Sequence, residues 1–401
     1  MADYVRLNWA SDLDRGSLSR RDRQGGVYSA YVPDPLLNRA FALAGDTAAD
    51  LADAEAAIVR LDSEAKALTG TEVLSRLLLR AEAVASSRIE GLEVGARRLL
   101  RAEAARSLDE QPSDATAVEV LANIEAMAAG VAAVRPGQEI TIELLLAMHS
   151  RLLGATKLGR HAGSFRRQQN WIGGSSYNPC SAAYVPPPPE YVVDLMADLV
   201  AFCNTADLPA VAQAAIAHAQ FETIHPFVDG NGRIGRALIH LVLRRRGLTT
   251  RVLPPVSLVL ATQTRDYIAG LTLFRHVGLS TSDSATGGLN DWVSRFAAAC
   301  SRAVVDAAWF ESAVAELELQ WRRRVSPVRA GSATDLLLRA LPAAPVVTVS
   351  TAASLIGRAY SATNDAIARL VAAGVLKQVS VGRRNRAFES PDAITAFTAL
   401  E

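Results

Sequence analysis

The twelve residues His225 to Arg236, His-Pro-Phe-Val-Asp-Gly-Asn-Gly-Arg-Ile-Gly-Arg, constrain this chain more than any other stretch. Before them, Leu208 to Ile224 is an alanine-rich run of helical pattern, and after them Ile234, Leu238, Leu241 and Val242 recur at helical spacing. The spacing predicts a loop between two helices. That loop ends at a helix N-terminus.

The residue types on the loop share one chemistry. At a helix N-terminus the unpaired backbone N–H groups and the macrodipole favour an anion, and Gly230 and Gly232 let the chain approach phosphate oxygens closely. Asp229 supplies one hard carboxylate oxygen, which suits a Mg2+ ion that keeps most of its water and shares the phosphate oxygens of a nucleotide. Arg233 and Arg236, three apart, can fork onto further phosphate oxygens. His225 precedes the anion site by one loop, so a neutral imidazole there can take the proton of a hydroxyl attacking phosphorus. In-line transfer of this kind asks for little beyond positioning and charge neutralisation. Taken singly the pieces say little, since Gly-Asn-Gly alone is usually a turn. Together they point to a nucleotide.

The stretch resembles the signature of the Fic family, His-x-Phe-x-Asp/Glu-Gly-Asn-Gly-Arg-x-x-Arg, with every fixed position filled. The resemblance implies a protein adenylyltransferase that moves AMP from ATP to a Ser, Thr or Tyr hydroxyl of a target protein, with pyrophosphate leaving and with Mg2+ and ATP required. By matching position it implies His225 as general base, Asp229 as the Mg2+ ligand and Asn231 as an α-phosphate contact. Gly230, Gly232 and Arg233 fall in the phosphate loop, Gly235 joins the nucleotide-binding positions, and Arg236 resembles the arginine that holds the γ-phosphate. Tyr267 sits where relatives place a tyrosine near the adenine, although core packing explains it equally well. Phe227 reads as a core anchor.

Upstream, Ser86-Ser87-Arg88-Ile89-Glu90-Gly91 resembles a second element of the family, Ser/Thr-x-x-x-Glu-Gly/Asn, the inhibitory helix. It implies autoinhibition through a Glu90 to Arg236 pair, with Ser86 one turn earlier on the face of Glu90 and Gly91 ending the helix. Between the two motifs, residues 159–189 are the least helical part of the chain. Trp171-Ile172-Gly173 and Ala183-Tyr184-Val185-Pro186 can pair as a hairpin with Gly174 to Ser181 at its tip. This wording resembles the family's flap, which lies over the active site and holds the target segment by strand addition. Trp171, Ile172, Gly173, Tyr184 and Val185 are the expected target-positioning residues.

With 401 residues, 50% of them hydrophobic and 21% charged, the chain has room for two or three domains. A formal net charge of +1 argues against a surface coated with cations for nucleic acid. Cys180, Cys203 and Cys300 follow no metal-binding spacing and read as free thiols in a reducing compartment. No signal-like N-terminus and no apolar run of membrane-spanning length is apparent, so a cytoplasmic protein without a membrane partner is expected. His149, on an apolar stretch, is expected to be packed and hydrogen-bonded, and Thr141 to cap the helix that carries it.

The expected class is mainly α: an N-terminal arm and helical region with the inhibitory helix (1–115), a Fic-type catalytic core with a β-hairpin flap (116–310), a linker helix (311–325) and a C-terminal winged-helix domain (326–401). Residues 1–35 are expected to be irregular, anchored by Trp9 and Tyr31, and Asn290 to cap a helix running to about Trp309. The C-terminal pattern of helix, turn, helix and hairpin carries Lys377, Arg383, Arg384 and Arg386 on its wing, which suits DNA. Its candidate recognition helix offers few cations, which suits protein docking. Expected partners are ATP, a target protein, the chain itself as acceptor or in a homodimer, and DNA through the winged helix. Two other functions stay open: a Fic enzyme that uses another nucleotide or removes AMP, and a nucleotide-sensing DNA-binding regulator.

Overall fold

A computed structural model describes residues 1–10, 18–23, 25–64, 71–106, 110–381 and 385–398. Among them, in order, are β1 (Asp3–Trp9), β2 (Gly26–Val32), α1 (Gly45–Glu64), α2 (Thr71–Ile89), α3 (Ala96–Arg106), α4 (Ala115–Ala133), α5 (Ile142–Leu153), α6 (Pro189–Cys203), α7 (Ala210–Ile224) and α8 (Asn231–Arg245). There follow α9 (Val256–Thr262), α10 (Thr264–Phe274), α11 (Asp283–Val325), α12 (Ala333–Ala340), β3 (Val346–Val347), α13 (Val349–Ile356), α14 (Tyr360–Ala372), β4 (Lys377–Val381), β5 (Asn385–Glu389) and α15 (Pro391–Thr398). The chain is mainly helical, as the sequence predicts. It divides into two compact units, one of residues 1–55, 129–248 and 263–298, the other of residues 56–128, 249–262 and 299–401.

The first unit is built on α7 and α8. All fifteen residues of α7 are buried, and its alanines let neighbouring helices approach closely. On α8 every residue from Asn231 to Leu243 is buried. At Gly235 the two helices meet tightly, since a Cβ there would stand 2.4 Å from Glu222 Oε1 and 2.9 Å from Phe221 Cδ1. Trp292 of α11 fills the other side of α7 and donates its indole N–H to the Ala215 carbonyl at 2.8 Å. Thr141 caps α5 as expected, its hydroxyl accepting the Leu144 N–H at 3.2 Å.

Two expectations for this unit, the irregular N-terminal arm and the Asn290 cap, are corrected. The N-terminal arm is an antiparallel hairpin, pairing Asp3 with Val32 through Trp9 with Gly26. Tyr28 and Ala30 are buried in alternation on β2, the period of a strand that the polar residues between them hide. The flap pairs where the sequence places it, through a bridge between Ile172 and Tyr184, with a turn of 3-10 helix at Pro179–Ser181 in its tip. The N-terminal hairpin continues it, because the Tyr31 N–H donates to the Val185 carbonyl at 2.9 Å. Finally, Asn290 caps nothing of its own, because α11 already begins at Asp283 and runs without a break to Val325, taking in the expected linker helix. Its side chain instead accepts the Ala44 N–H at 2.8 Å, just before α1.

In the second unit, α2 ends in a well-anchored turn. Buried Glu82 accepts the N–H and hydroxyl of Ser257 at the start of α9, so a carboxylate meets a helix N-terminus. Asn123 of α4 donates to the Ala83 carbonyl at 2.7 Å and to Ser87 Oγ at 3.1 Å. By length and composition α4 could cross a membrane, contrary to expectation, because alanine and valine dominate it. Here Ala117, Val120 and Leu121 lie in a protein core with Leu77, Leu78 and Leu99.

The cations of α3 do more than face solvent. Arg97 and Arg101 approach buried Glu389 of β5 at 3.3 and 3.8 Å, Arg98 pairs with Asp114 at 2.6 Å, and Arg106 with Glu125 at 2.7 Å. Residues 333–398 form three helices and a three-stranded antiparallel sheet in the order β3-β5-β4, followed by α15. Leu337, Leu338, Ile367, Leu370 and Phe388 fill its core with Trp321 from α11. The expected hairpin tip, Gly382-Arg383-Arg384, lies outside the described residues.

Candidate functional site

The loop between α7 and α8 turns sharply at both ends. His225 closes α7 in the left-handed conformation, at φ 50° and ψ 59°, and its N–H donates to the Phe221 carbonyl at 2.9 Å. Gly230 opens α8 at φ 78°, and a Cβ there would lie 2.8 Å from Leu152 Cδ2, so only glycine fits. Phe227 pins the middle of the loop, buried against Phe165, Phe221 and His149. It is the expected anchor.

A non-glycine residue in the left-handed region is strained and needs its surroundings to hold it. Arg166 does this. It is 3% exposed, its backbone N–H donates to the Pro226 carbonyl, and its guanidinium donates to the carbonyls of His225 at 2.9 Å, Gln168 at 3.2 Å, Ile224 at 3.3 Å and Pro187. Burial lowers its pKa to about 10, which still leaves it charged at neutral pH. Asn170 adds donors to the His225 carbonyl at 3.3 Å and the Phe227 carbonyl at 3.0 Å. Neither residue stands out in the sequence, because their partners are main-chain carbonyls.

His149 is packed and hydrogen-bonded, as expected. Its Nδ1 accepts the Gly163 N–H at 3.1 Å, so Nε2 carries the proton and donates to the Asp229 carbonyl at 3.1 Å. It stacks on Phe227 with ring centroids 3.8 Å apart, and burial drives its pKa down to about 4. It stays neutral and supports the loop.

The first turn of α8 carries the cationic part. Arg233 is 2% exposed, and its Nε and Nη1 have no hydrogen-bond partner among the described residues. Its Nη2 lies 3.6 Å from Asp229 Oδ2. A buried guanidinium beside a helix N-terminus is an incomplete arrangement that an anion completes. Arg236 is buried one turn on. The Asn231 side chain clasps Phe227, accepting its N–H at 2.8 Å and donating to its carbonyl at 2.9 Å. Its second amide hydrogen, with the backbone N–H groups of the first turn, is of the kind that an anion accepts.

Asp229 is the exposed member, with its side chain 45% accessible and Oδ1 accepting the Gly230 N–H at 2.6 Å. No group of three or more His, Cys, Asp or Glu side chains that could hold a metal occurs among the described residues. A divalent ion here would rest on one carboxylate, phosphate oxygens and water, which is the coordination Mg2+ favours. The donor set fits.

Two further sequence-predicted positions pack against α7. Gly235 faces the side chains of α7, so its role is close helix packing. Tyr267 is buried, stacks on His218 and shares a 2.9 Å hydrogen bond with His218 Nε2, which gives it a packing role in the core. Burial holds His218 neutral, with a pKa of about 3, and the charge of Arg236 contributes.

The flap residues lie beside the loop. Tyr184 is buried with its hydroxyl on the Thr223 carbonyl at 2.7 Å, and Ile172 is exposed. Trp171 packs edge-on against Trp9 of β1. Asn170, Trp171, Gly173 and Gly174 line a groove of about 360 Å³ with Gln169, Ser175 and Ser176. In the other unit, Ser86 is buried on α2 while Glu90 stands exposed one residue past its end. Gly91, at φ 79°, terminates the turn, which the Leu92 N–H closes on the Ser87 carbonyl at 3.0 Å.

Residues 139–243 match the Fic/DOC family, and residues 48–132 match the N-terminal region of that family. Over 132 residues the chain is 36% identical to protein adenylyltransferase fic-1 of Caenorhabditis elegans, a match that covers 32% of this chain and 23% of that protein. Over 119 residues it is 37% identical to protein adenylyltransferase Fic of Drosophila willistoni, covering 29% of this chain and 22% of that one. The matched part is thus less than a quarter of these relatives' length. A Fic family protein from Desulfovibrio desulfuricans G20 superimposes with a TM-score of 0.53 at 19% identity, over 87% of this chain and 97% of that one. The two share a fold.

Proposed function

We propose, for a chain that belongs to the Fic/DOC family through residues 48–132 and 139–243, that it is a protein adenylyltransferase moving AMP from ATP to a hydroxyl of a target protein. The observation that carries this reading is Arg233, a buried guanidinium at the N-terminus of α8 with two nitrogens unpaired among the described residues. A triphosphate supplies the missing anion. Arg236 takes the terminal phosphate in this reading, and the backbone N–H groups of Asn231 and Gly232 face the α-phosphate. Mg2+, held by Asp229, would neutralise phosphate charge and draw out the leaving pyrophosphate. His225 accepts the proton of the attacking hydroxyl. The groove at Asn170–Ser176 is where the main chain of the target would lie, beside the flap.

In the same reading Glu90 inhibits the enzyme by competing with the γ-phosphate for Arg236. Support comes from its place on an anchored helix end in the family's N-terminal region. The protein acts in the cytoplasm, and residues 326–401 are a winged helix used for protein docking. On the exposed face of α14 stands Asp365, and its one cation, Arg369, is engaged with the Val325 carbonyl, which offers phosphate little charge.

The test is incubation of the Glu90→Gly variant with Mg2+ and ATP labelled at the α- or the γ-phosphate in a lysate. Label entering protein from α-labelled ATP alone supports AMP transfer. Label from γ-labelled ATP, or from neither, would overturn it.

A further inference from the structure

Three residues before His225, on the last turn of α7, stands Glu222, to which the reaction as described gives no task. Its Oε2 lies 3.9 Å from His225 Nδ1, and its Oε1 lies 4.0 Å from His218 Nδ1. The carboxylate is walled in on three sides. The side chain is 11% exposed, and Gly235 of α8 leaves it room only by lacking a Cβ, which would stand 2.4 Å from Oε1 and 3.3 Å from His218 Nδ1. Behind it, His218 is fixed by its 2.9 Å hydrogen bond to the Tyr267 hydroxyl.

Three neighbours of this pair are themselves constrained. His218 is wholly buried and neutral, so it does not compete with His225 as a cation. Arg166 and Asn170 reach His225 only through its carbonyl oxygen, which fixes the backbone and leaves the ring to other groups. Arg236 lies near enough to bear on His218. From α7, then, the ring of His225 meets a carboxylate on its Nδ1 side.

We propose that Glu222 is a positioning residue for His225: it holds the proton on Nδ1, points Nε2 at the attacking hydroxyl, and balances the imidazolium that forms. The inference rests on the adenylyltransferase reading. In the step, the hydroxyl O–H bond breaks and its proton passes to Nε2, the oxygen bonds to the α-phosphorus, and the bond from that phosphorus to pyrophosphate breaks. Glu222 touches neither reactant. The 3.9 Å separation is a charge contact in the resting protein, and such contacts commonly tighten once substrate is bound. The same logic of base and orienting carboxylate recurs in unrelated hydrolases.

The experiment compares Glu222→Gln and Glu222→Ala with their parent, all carrying Glu90→Gly so that transfer is measurable. Loss of the carboxylate charge should lower kcat roughly ten- to a hundredfold while the KM for ATP stays within about twofold. The acidic limb of the pH–kcat profile should move to lower pH, because an imidazolium without its counter-charge gives up its proton more readily. The NMR titration of His225, assigned with His225→Gln, should move the same way, and this needs no turnover. An unchanged His225 titration in both variants would overturn the proposal whatever the activity. Absence of AMP transfer by the parent, with the His225 titration shifted, would instead sink the adenylyltransferase reading and leave the pairing of Glu222 with His225 standing.

Discussion

The guanidinium of Arg166 donates to the carbonyl of His225 at 2.9 Å, and through its other nitrogens it also holds the end of α7 and the strand-like segment at Pro187. One buried cation thus fixes the residue read as the base and the segment read as the target clamp. Replacing it with alanine leaves several buried carbonyls without donors, at about 1–3 kcal/mol for each one that water does not reach. Arg166→Ala should unfold at clearly lower denaturant than the parent, and Arg166→Lys, which lacks the planar fork, should recover only part of the loss.

Arg233 should behave in the opposite way. Removing a buried guanidinium whose Nε and Nη1 lack partners relieves a desolvation cost, so Arg233→Gln should match or exceed the native chain in thermal stability without nucleotide. Its ATP affinity, measured by calorimetry, should fall roughly ten- to a hundredfold, the worth of a charge-assisted contact. A variant that lost stability and bound ATP normally would show that Arg233 is structural.

The two loop glycines separate by mechanism. Gly230→Ala meets both a positive φ and Leu152, at about 1–2 kcal/mol for the backbone alone, and should disturb nucleotide binding at the turn. Gly235→Ala meets Glu222 and Phe221 in the helix interface, an overpacking cost of about 1–3 kcal/mol. Chemical denaturation should register both, and ATP affinity measured in the folded state should fall more for Gly230→Ala.

Acid should destabilise the fold through its neutral histidines. His149 has a folded pKa of about 4, below its ordinary value of 6.5, and His218 lies lower still. Between those limits the unfolded chain binds more protons than the folded one. Their contribution is therefore complete above about pH 6.5 and is lost as pH falls toward 4, at up to about 1.4 kcal/mol per pH unit for each group. Urea midpoints measured from pH 7 to pH 4.5 should decline, and His149→Gln should flatten the slope.

Much of this was legible in the sequence, and what was not has identifiable causes. The helix-loop-helix around His225 announces itself through alanine-rich and 3.6-period runs, and the Gly230 turn through its residue type. The N-terminal hairpin is hidden because Arg6, Asn8 and Ser29 interrupt its apolar residues on the solvent face, leaving a two-residue period that reads as noise beside the prolines at 33 and 35. Arg166 and Asn170 act on backbone carbonyls, which carry no residue identity for a pattern to match. The packing of Gly235 against Glu222 and of Tyr267 against His218 depends on how the helices meet, which no local pattern carries.

The account turns on whether the loop performs AMP transfer and whether Glu90 restrains it. The most direct measurement is incorporation of label from α-phosphate-labelled ATP, with Mg2+, by the native chain, by Glu90→Gly and by Glu90→Gly combined with His225→Ala. Weak labelling by the native chain, strong labelling by Glu90→Gly and none by the double variant is the predicted result. Equal labelling by the native chain and Glu90→Gly would contradict the restraint, and undiminished labelling without His225 would contradict the chemistry.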